Sequence, residues 1–270
     1  MNKKLTHREI QKEELKILLD FDSFCKEHKL KYYLAGGTLL GAIRHKGFIP
    51  WDDDIDVCMS RLDYEKLLKI FPEIYKEKYQ LKALSRKNFD LPFSKLINKN
   101  IYIKNSYTNN KLDMNLWIDI FPVDGVPENN DDIKHLYKKR FFWGTLLFFY
   151  FVKLGSGDTY KKKIRNIFII FLSKIMGKNF LIRKVEKLTN LYDFNTSKYV
   201  GTFNWGGYGS GGVMRKEDFI KQTEVIFEGY IFPTFSCWEK YLQGLYKDYK
   251  KLPPKNKQRT HQMEAYLKGE

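Results

Sequence analysis

The stretch YYLAGGTLLGAIRHKGFIPWDDDIDVCMS, residues 32–60, carries the pattern from which we predict the fold of this chain. A short run of strand-forming residues ends at the pair Gly36-Gly37, a short helix follows, and after a loop a second strand begins at Ile55. Thr38 is expected to cap the helix, because a threonine at such a place accepts a free backbone N–H. Strands that alternate with helices in this way are typical of an α/β or α+β core.

The acids near the end of this stretch are its most specific chemical feature. Residues two apart on a strand face the same side, so Asp54 and Asp56 are predicted to project together. Adjacent carboxylates repel each other, and a hard cation such as Mg²⁺ or Mn²⁺ that bridges them and a bound phosphate removes the repulsion. Gly36 and Gly37 let backbone amides at a helix N-terminus approach that phosphate closely. The pattern predicts a phosphoryl-transfer site, and the alternative interpretation is an acidic, solvated turn after Pro50.

A third carboxylate for such a metal site is expected from another strand, and Asp119 is the candidate. It lies in the apolar run Leu116–Phe121, a predicted strand that Pro122 is expected to end. A charge in a buried strand needs a partner, because an unpaired buried charge is costly. The partner is a metal ion or, alternatively, a set of backbone amides. Asp124, in the segment VDGVP, is predicted to form a turn.

Basic residues between the glycines and the acids are candidate phosphate contacts. Arg44 can bind a phosphate through two nitrogens, and Lys46 acts as a point charge. The alternative is an exposed basic loop. The residues predicted to bind substrate are Gly36, Gly37, Thr38, Arg44, Lys46 and Asp52.

The rest of the chain shows helical and strand patterns in separate regions. Residues 130–193 hold no strand pattern and predict two or three helices, apolar on one side and basic elsewhere. A strand pair over Val225–Phe235 turns near Glu228-Gly229. Further helices are predicted over 8–28, 61–78 and about 236–249, and short strands over 79–84, 93–97 and 101–104.

These elements together predict the fold class and the domain organisation. We expect an α+β fold in which a mixed sheet is flanked by helices, with a mostly helical insertion and C-terminal part. A catalytic core is predicted over 1–129 and a basic, apolar helical segment over 130–200. A hairpin and helix over 201–270 are expected to complete the substrate site.

The net charge of +16, from 48 Lys and Arg against 32 Asp and Glu, indicates a phosphate-bearing partner such as nucleic acid, anionic lipid or a phosphorylated substrate. The excess is local, because residues 134–190 contain 14 Lys and Arg and only 2 Asp and Glu. Basic side chains beside apolar helices are typical of a segment that lies on an anionic leaflet. A helical hairpin with a solvated basic face would have the same composition.

The cysteines, the N-terminus and the apolar runs bear on location. Three separated cysteines form no Cys-x-x-Cys pair, and the N-terminal residues lack the apolar core of a signal peptide. The longest near-continuous apolar run, Phe141–Val152, has 12 residues, whereas a membrane-spanning helix needs about 20. We therefore expect a cytoplasmic protein, with peripheral contact to the inner face of the membrane through the basic segment.

Residues 32–68 resemble the signature of the LicD family of phosphotransferases, which have the DNA polymerase β-like nucleotidyltransferase fold and are related to the fukutin-related ribitol-phosphate transferases. The chain departs from the family pattern at Tyr246-Lys247-Asp248, where the family usually has Tyr-Gly-Asp. Further matches are IDIFPVDGVP at 118–127, FEG at 227–229, LPP at 252–254 and His261.

The resemblance implies a reaction and roles for the residues named above. Asp54, Asp56 and Asp119 correspond to the metal-binding carboxylates, and Gly36, Gly37 and Thr38 to the turn on the phosphate side. The expected reaction transfers phosphocholine, or a related phospho-substituent, from a CDP-activated donor such as CDP-choline to a sugar hydroxyl. The expected acceptor is a lipid-linked glycan precursor of teichoic acid, lipopolysaccharide or capsule. CMP would leave by in-line displacement, with Asp119 nearest the attacking hydroxyl.

Two other functions compete with this one. A nucleotidyltransferase with the same acids would use a nucleoside triphosphate and release pyrophosphate, and the site as read from the sequence serves both reactions. A non-enzymatic nucleic-acid-binding protein would explain the charge, but no reading module with interleaved aromatic and basic residues is present in the sequence. We therefore expect no nucleic acid among the partners.

Overall fold

A mixed sheet of nine strands forms the centre of the described part of the chain. The computed structural model describes residues 3–74, 77–84, 89–104, 115–157, 159–202, 209–258 and 263–268. Its helices are α1 His7–Glu27, α2 Gly36–His45, α3 Arg61–Ile74, α4 Asn130–Phe151, α5 Tyr160–Met176, α6 Lys178–Thr189, α7 Lys216–Ile220 and α8 Trp238–Tyr246. Its strands are β1 Lys3–Lys4, β2 Tyr33–Leu34, β3 Asp56–Ser60, β4 Tyr79–Lys82, β5 Ser94–Lys104, β6 Asn115–Val126, β7 Tyr199–Thr202, β8 Met214–Arg215, β9 Gln222–Phe227, β10 Tyr230–Phe235 and β11 Glu264–Leu267.

The sheet runs in the order β1-β11-β5-β6-β3-β2, with β4 paired to β5 and β7 paired to β6 and β8. β6 is the central strand, parallel to β3 and antiparallel to β5 and β7. The predicted α+β class, with a mixed sheet flanked by helices, is confirmed. The parallel β3–β6 register places Asp56 directly beside Asp119, which brings the two predicted acidic strands together.

The first and last described strands close one edge of the sheet. β1 pairs antiparallel with β11, so that Lys3 lies opposite Leu267. β11 in turn pairs with the second half of β5, with Ala265 opposite Ile103. The first half of β5 is covered by β4 on that edge.

Helix α1, predicted over 8–28, covers the sheet with its apolar face. Thr6 caps it, because the Thr6 hydroxyl accepts the Glu9 N–H and the Glu9 carboxylate accepts the Thr6 N–H, a reciprocal capping box. Ile17 and Phe21 are fully buried on the inner face. The helix contacts β6, the strand that carries Asp119.

Three local predictions were wrong. Thr38 does not cap α2, since the N-cap is Ala35 and the Thr38 hydroxyl instead accepts the Asp56 N–H at 2.8 Å. Pro122 does not end β6, because a proline removes a single donor and pairing with β3 and β7 carries the strand on to Val126. Asp124 is therefore a strand residue rather than a turn former, and its buried carboxylate accepts two hydrogen bonds from Arg61, at 2.6 and 2.7 Å.

The predicted strands over 93–97 and 101–104 form the single strand β5, whose pairing with β6 is irregular between Ile97 and Tyr102. The predicted hairpin is confirmed, with its turn at Glu228-Gly229, both at positive φ. Residues 130–193 form the helices α4, α5 and α6, as predicted. The division at residues 129 and 200 stays a prediction. Among the described residues, no helix is long and apolar enough to cross a membrane.

Candidate active site

Three carboxylates meet where β3 lies beside β6. Asp56 is the first residue of β3, Asp54 precedes it by two residues in the loop, and Asp119 pairs with Asp56 from β6. One oxygen from each carboxylate lies within 4.8 Å of the other two. The Asp119 N–H donates to the Ile55 carbonyl at 2.8 Å, which fixes the two strands at this point.

This group of oxygens fits a divalent cation. Hard cations such as Mg²⁺ prefer carboxylate oxygens, and two of the three side chains, those of Asp56 and Asp119, lie on paired strands rather than in a loose surface cluster. Asp119 is buried, while Asp54 and Asp56 are partly exposed, so the group opens to solvent on one side. The residues present can hold a metal ion.

The glycine pair lies directly against these acids. Gly36 has φ +52°, and a Cβ at that position would overlap the Asp56 carboxylate. A Cβ at Gly37 would lie 2.8 Å from Oδ2 of Asp52. The glycines therefore admit carboxylates to the first turn of α2, a close approach that the sequence pattern attributed to a phosphate alone.

A buried tyrosine from the C-terminal part holds this turn in place. The Gly36 N–H donates to the Tyr241 hydroxyl at 3.2 Å. Burial raises the pKa of Tyr241 above its usual value, so the phenol stays protonated and retains its own proton to donate. Sequence reasoning missed Tyr241, because nothing in the pattern of α8 connects it to a turn 205 residues away.

Arg44 and His45 lie at the other end of α2. The Arg44 guanidinium donates to the Tyr249 carbonyl at 3.2 Å and to His45 Nε2 at 2.9 Å. Burial and then the Arg44 charge lower the pKa of His45, which favours the neutral ring that accepts this hydrogen bond. Lys46 is exposed, and its carbonyl accepts the Glu228 N–H at 2.9 Å.

Glu228 explains why the FEG segment accompanies the N-terminal motif. Its carboxylate accepts the Phe48 N–H at 3.1 Å and pairs with Arg8. Burial alone would raise the pKa of Glu228, but the hydrogen bonds from Arg8 and Phe48 outweigh it and lower the pKa. The turn of the β9–β10 hairpin therefore fixes the loop that leads from α2 to the acids.

A buried lysine beside Asp119 was missed by the sequence reasoning. Lys95 on β5 lies opposite Asp119, with its Nζ 3.3 Å from Asp119 Oδ1. The same ammonium lies over the ring of Trp117, 3.6 Å from its centroid. A charge inside an apolar strand is the signal that singled out Asp119, and it is equally present for Lys95 in the segment FSKLI.

A further carboxyl group, that of Glu14, lies behind the acidic loop, residues 52–54. Glu14 of α1 is fully buried, and neither carboxyl oxygen has a hydrogen-bond partner among the described residues. Burial raises the pKa of Glu14 well above its usual value, and the charges of Asp54, Asp53, Asp52 and Asp119 raise it further. The group is therefore held in its neutral form next to a concentrated negative charge.

The three carboxylates line an open cleft of about 1400 Å³. The predicted site residues that face it are Gly36, Gly37, Arg44, Asp52, Asp54, Asp56 and Asp119, and Thr38 and Lys46 are not among its lining. The opposite wall comes from the end of α8 and the segment behind it, including Tyr246, Lys247 and Asp248. Lys247 has φ +60°, a conformation that favours glycine, in agreement with the glycine usual in the family. His261 and most of the glycine-rich run 204–212 lie outside the described residues.

Comparison with known proteins places this site in a family. A profile of the family described as LicD/FKTN/FKRP, nucleotidyltransferase domain, matches residues 29–146. The chain is 34% identical, over 98% of its length and 99% of the relative's, to the lipopolysaccharide cholinephosphotransferase LicD of Haemophilus influenzae. Two uncharacterized proteins match shorter parts of the chain. The one from Rickettsia typhi is 35% identical over 24% of this chain and 21% of that protein. The one from Rickettsia prowazekii is 39% identical over 21% of each.

The chain belongs to the LicD family, and it is a transferase. The resemblance drawn from residues 32–68 is confirmed. The profile covers α2, the acidic loop, β3 and β6, which together carry every carboxylate of the predicted metal site.

Proposed function

We propose that this protein transfers phosphocholine from CDP-choline to a sugar hydroxyl of a cell-surface glycan precursor and releases CMP. The observation that carries the proposal is the convergence of Asp54, Asp56 and Asp119 beside the Gly36-Gly37 turn. It occurs in a chain related along nearly its whole length to a lipopolysaccharide cholinephosphotransferase. The family assignment favours this reaction over the nucleic-acid-binding hypothesis, and nucleotidyl transfer from a triphosphate remains the alternative to be tested.

Asp54, Asp56 and Asp119 are the residues that we assign to a bound Mg²⁺ or Mn²⁺. Bound there, the metal would neutralise charge on the diphosphate of the donor and on the departing CMP. Thr38 contributes through the backbone, because its hydroxyl accepts the Asp56 N–H and holds the start of β3 against α2. Thr38 thus positions a ligand rather than touching the phosphate.

The remaining polar groups of the cleft are assigned to the donor and the acceptor. The first-turn amides of α2 have no helical acceptors. The Gly36 N–H donates to Tyr241, and the Gly37 N–H suits a phosphate oxygen. Arg44 and Asp52 line the same cleft and are assigned to the nucleotide part of the donor. Lys46 adds positive charge at the exposed end of α2. We assign Asp119 as the base that accepts the proton of the attacking hydroxyl, because it is the most enclosed of the three acids.

The aromatic lining of the cleft supports choline as the transferred group. Trp51, Phe93, Trp117, Phe121 and Phe148 are among the residues that line it. Aromatic faces attract quaternary ammonium ions through cation–π interactions. The short approach of Lys95 to Trp117 shows that a ring of this wall already accepts a cation.

The acceptor and the location follow from the same proposal. A glycan precursor of lipopolysaccharide, teichoic acid or capsule is expected to carry a lipid anchor. We place the reaction in the cytoplasm, at the inner face of the cytoplasmic membrane.

A panel of donors tests this proposal. CDP-choline, CDP-ethanolamine, CDP-glycerol and CDP-ribitol are each incubated with protein, Mg²⁺ and a glycan extract, and CMP is measured. A parallel reaction with CTP is assayed for pyrophosphate. Metal-dependent CMP release that is fastest with CDP-choline is expected, while pyrophosphate from CTP would establish the nucleotidyltransferase instead.

Matched variants connect the activity to the carboxylates. Asp56→Asn keeps the shape of the side chain and removes its charge, so we expect a loss of roughly a thousandfold, or about 4 kcal/mol of transition-state stabilisation. Asp132→Asn, at an exposed position in the first turn of α4, is the control and should retain full activity.

A further inference from the structure

The outer face of α5 exposes an apolar ridge. Ile164, Phe168, Phe171 and Ile175 recur at intervals of three and four residues and so lie on one side of the helix. Their exposed fractions are 52%, 68%, 64% and 66%. Soluble surfaces carry single apolar side chains freely, but a contiguous ridge of this kind marks an interaction site.

The opposite face of α5 is already packed. Asn166, Ile170 and Ser173 are buried, and the helix contacts α4 and α6. Asn166 is anchored further by the hydrogen bond from its Nδ2 to the Ser156 carbonyl, at 2.9 Å. The helix is therefore held rigidly by its inner face while the ridge points away from the protein.

Lysines border the ridge on both sides. At about 100° per residue, Lys161 lies on one flank of the ridge, and Lys163 and Lys174 lie on the other. All three are exposed. An apolar stripe bordered by lysines is how a helix lies in the plane of a bilayer, with its apolar side chains in the acyl boundary and its ammonium groups among anionic headgroups.

We propose that this ridge docks the protein onto an anionic lipid surface. The charge argues for lipid over a second copy of the chain, because a symmetric contact through α5 would bring two segments of equal positive charge together. Residues 134–190, with 14 Lys and Arg against 2 Asp and Glu, carry most of the net charge of the protein. A lipid surface supplies the opposite charge and the apolar phase at once.

The docked helix would also bring the membrane to the cleft. Arg165 and Ile169, which lie between the ridge and the buried face of α5 on one side of the helix, line the cleft. Phe141 and Phe148 of α4 line it too and are themselves exposed. One helix thus forms part of the membrane-facing surface and part of a wall of the active site. If the acceptor is lipid-linked, as the proposed function has it, its sugar can reach the carboxylates while its anchor stays in the bilayer.

Vesicle binding tests the docking surface without any substrate. The full chain is mixed with vesicles of equal parts phosphatidylcholine and phosphatidylglycerol, or of phosphatidylcholine alone, and the bound fraction is measured by flotation. Binding to the anionic vesicles that weakens with added salt is expected. Absence of binding to the anionic vesicles, or equal binding to both kinds, overturns the proposal.

Two double variants separate the ridge from apolar exposure in general. Phe168→Ser/Phe171→Ser alters the ridge, and Ile226→Ser/Ile231→Ser alters the β9–β10 hairpin, where both side chains are at least half exposed. We expect the ridge variant to partition onto the anionic vesicles at least tenfold less than the wild type. The hairpin variant is expected to partition like the wild type. Equal loss in both variants, or none in the ridge variant, contradicts the assignment.

Charge and self-association complete the test. Lys161→Gln/Lys163→Gln is expected to remove most of the preference for anionic vesicles.

Analytical ultracentrifugation of wild type and ridge variant is expected to give the same mass. If the wild type were a dimer and the ridge variant a monomer, the ridge would be an interface between copies, and the proposal would be wrong.

Failure of the docking surface is distinguishable from failure of the proposed function. The ridge variant should release CMP from CDP-choline at the wild-type rate when no vesicles are present, since its altered side chains do not line the cleft. Asp56→Asn should bind vesicles like the wild type. A protein that binds vesicles but never releases CMP would refute the proposed reaction and leave the docking surface standing.

Discussion

Lys95 contacts the carboxylate of Asp119 and the face of Trp117 at the same time. Its Nζ lies 3.3 Å from Asp119 Oδ1 and 3.6 Å from the centroid of the Trp117 ring. Lys95 is only 5% exposed. An ammonium in this position offsets part of the negative charge of the three acids whenever no metal does so.

Replacement of this lysine should make the fold depend on metal. We expect Lys95→Met to lower the free energy of unfolding by about 3 kcal/mol in EDTA, because it leaves a buried carboxylate without its cation. Added Mg²⁺ should recover most of that loss. Urea unfolding in EDTA and in Mg²⁺ measures both values. Lys104→Met, at an exposed position on the same strand, is the control, and an equal loss with and without Mg²⁺ would contradict the explanation.

The contact between the glycine turn and the acids predicts a difference between two glycines. Gly36 and Gly209 have nearly equal positive φ values, +52° and +54°, but a Cβ at Gly36 overlaps the Asp56 carboxylate, whereas a Cβ at Gly209 meets nothing within 4 Å. Both alanine variants should lose about 1 kcal/mol of stability to backbone strain. Only Gly36→Ala should also lose activity, by roughly a hundredfold. Kinetic assays beside thermal unfolding separate the two effects, and equal activity of both variants would refute the steric argument.

The buried carboxyl of Glu14 predicts a dependence of stability on pH. Below its usual pKa of 4.5 the group is protonated in both the folded and the unfolded chain and has no effect. Above that pH the unfolded chain releases the proton while the folded chain keeps it, because burial and the neighbouring acids raise the pKa in the fold. The free energy of unfolding should therefore fall with rising pH, by up to about 1.4 kcal/mol per pH unit.

Glu14→Gln should remove this contribution without a change of shape. Relative to the wild type, the variant should gain stability as the pH rises from 5 towards 8 in EDTA. Glu27→Gln, exposed on the same helix, should follow the wild-type profile. Urea unfolding across this range measures the difference, and parallel profiles of wild type and Glu14→Gln would show that the buried carboxyl is not the cause.

The departure from the family at Lys247 predicts a stabilising substitution. Lys247 has φ +60° and ψ −108°, a combination that strains any residue with a Cβ. Lys247→Gly should raise the free energy of unfolding by about 1 kcal/mol. Lys46 lies at an ordinary left-handed position with φ +58° and ψ 23°, so Lys46→Gly should raise the free energy of unfolding by less. Denaturant midpoints compare the two, and a loss of stability in Lys247→Gly would contradict the strain.

The core of the site could be predicted because its signals are local. Asp54 and Asp56 stand two residues apart, and Asp119 is a lone charge in an apolar strand, so each was visible before the fold was known. The parallel pairing of β3 with β6 then brought them together. The same kind of signal marked Lys95, but one lysine among many basic residues did not attract an assignment.

Other features depend on contacts that no local pattern encodes. Tyr241 reaches Gly36 only because α8 packs near the start of α2, and Glu14 is notable only once α1 lies behind the acidic loop. Thr38 was misassigned as a cap because a helix start was placed too late, after the glycines rather than at Gly36. Pro122 resembles a strand end in the sequence, but partners on both sides of β6 keep the strand continuous.

The pairing of β11 with β1 and β5 bears on how the chain is made and how it fails. β3 and β6 are complete after Val126, whereas β11 follows them in the chain and is synthesised later. Until it arrives, β1 has no partner in the described sheet and Ile101–Lys104 of β5 forms an open edge. Loss of residues beyond 262 would therefore leave the acids in place but expose backbone donors and acceptors that recruit strands from other chains. We therefore expect such a fragment to aggregate while it keeps the three carboxylates together.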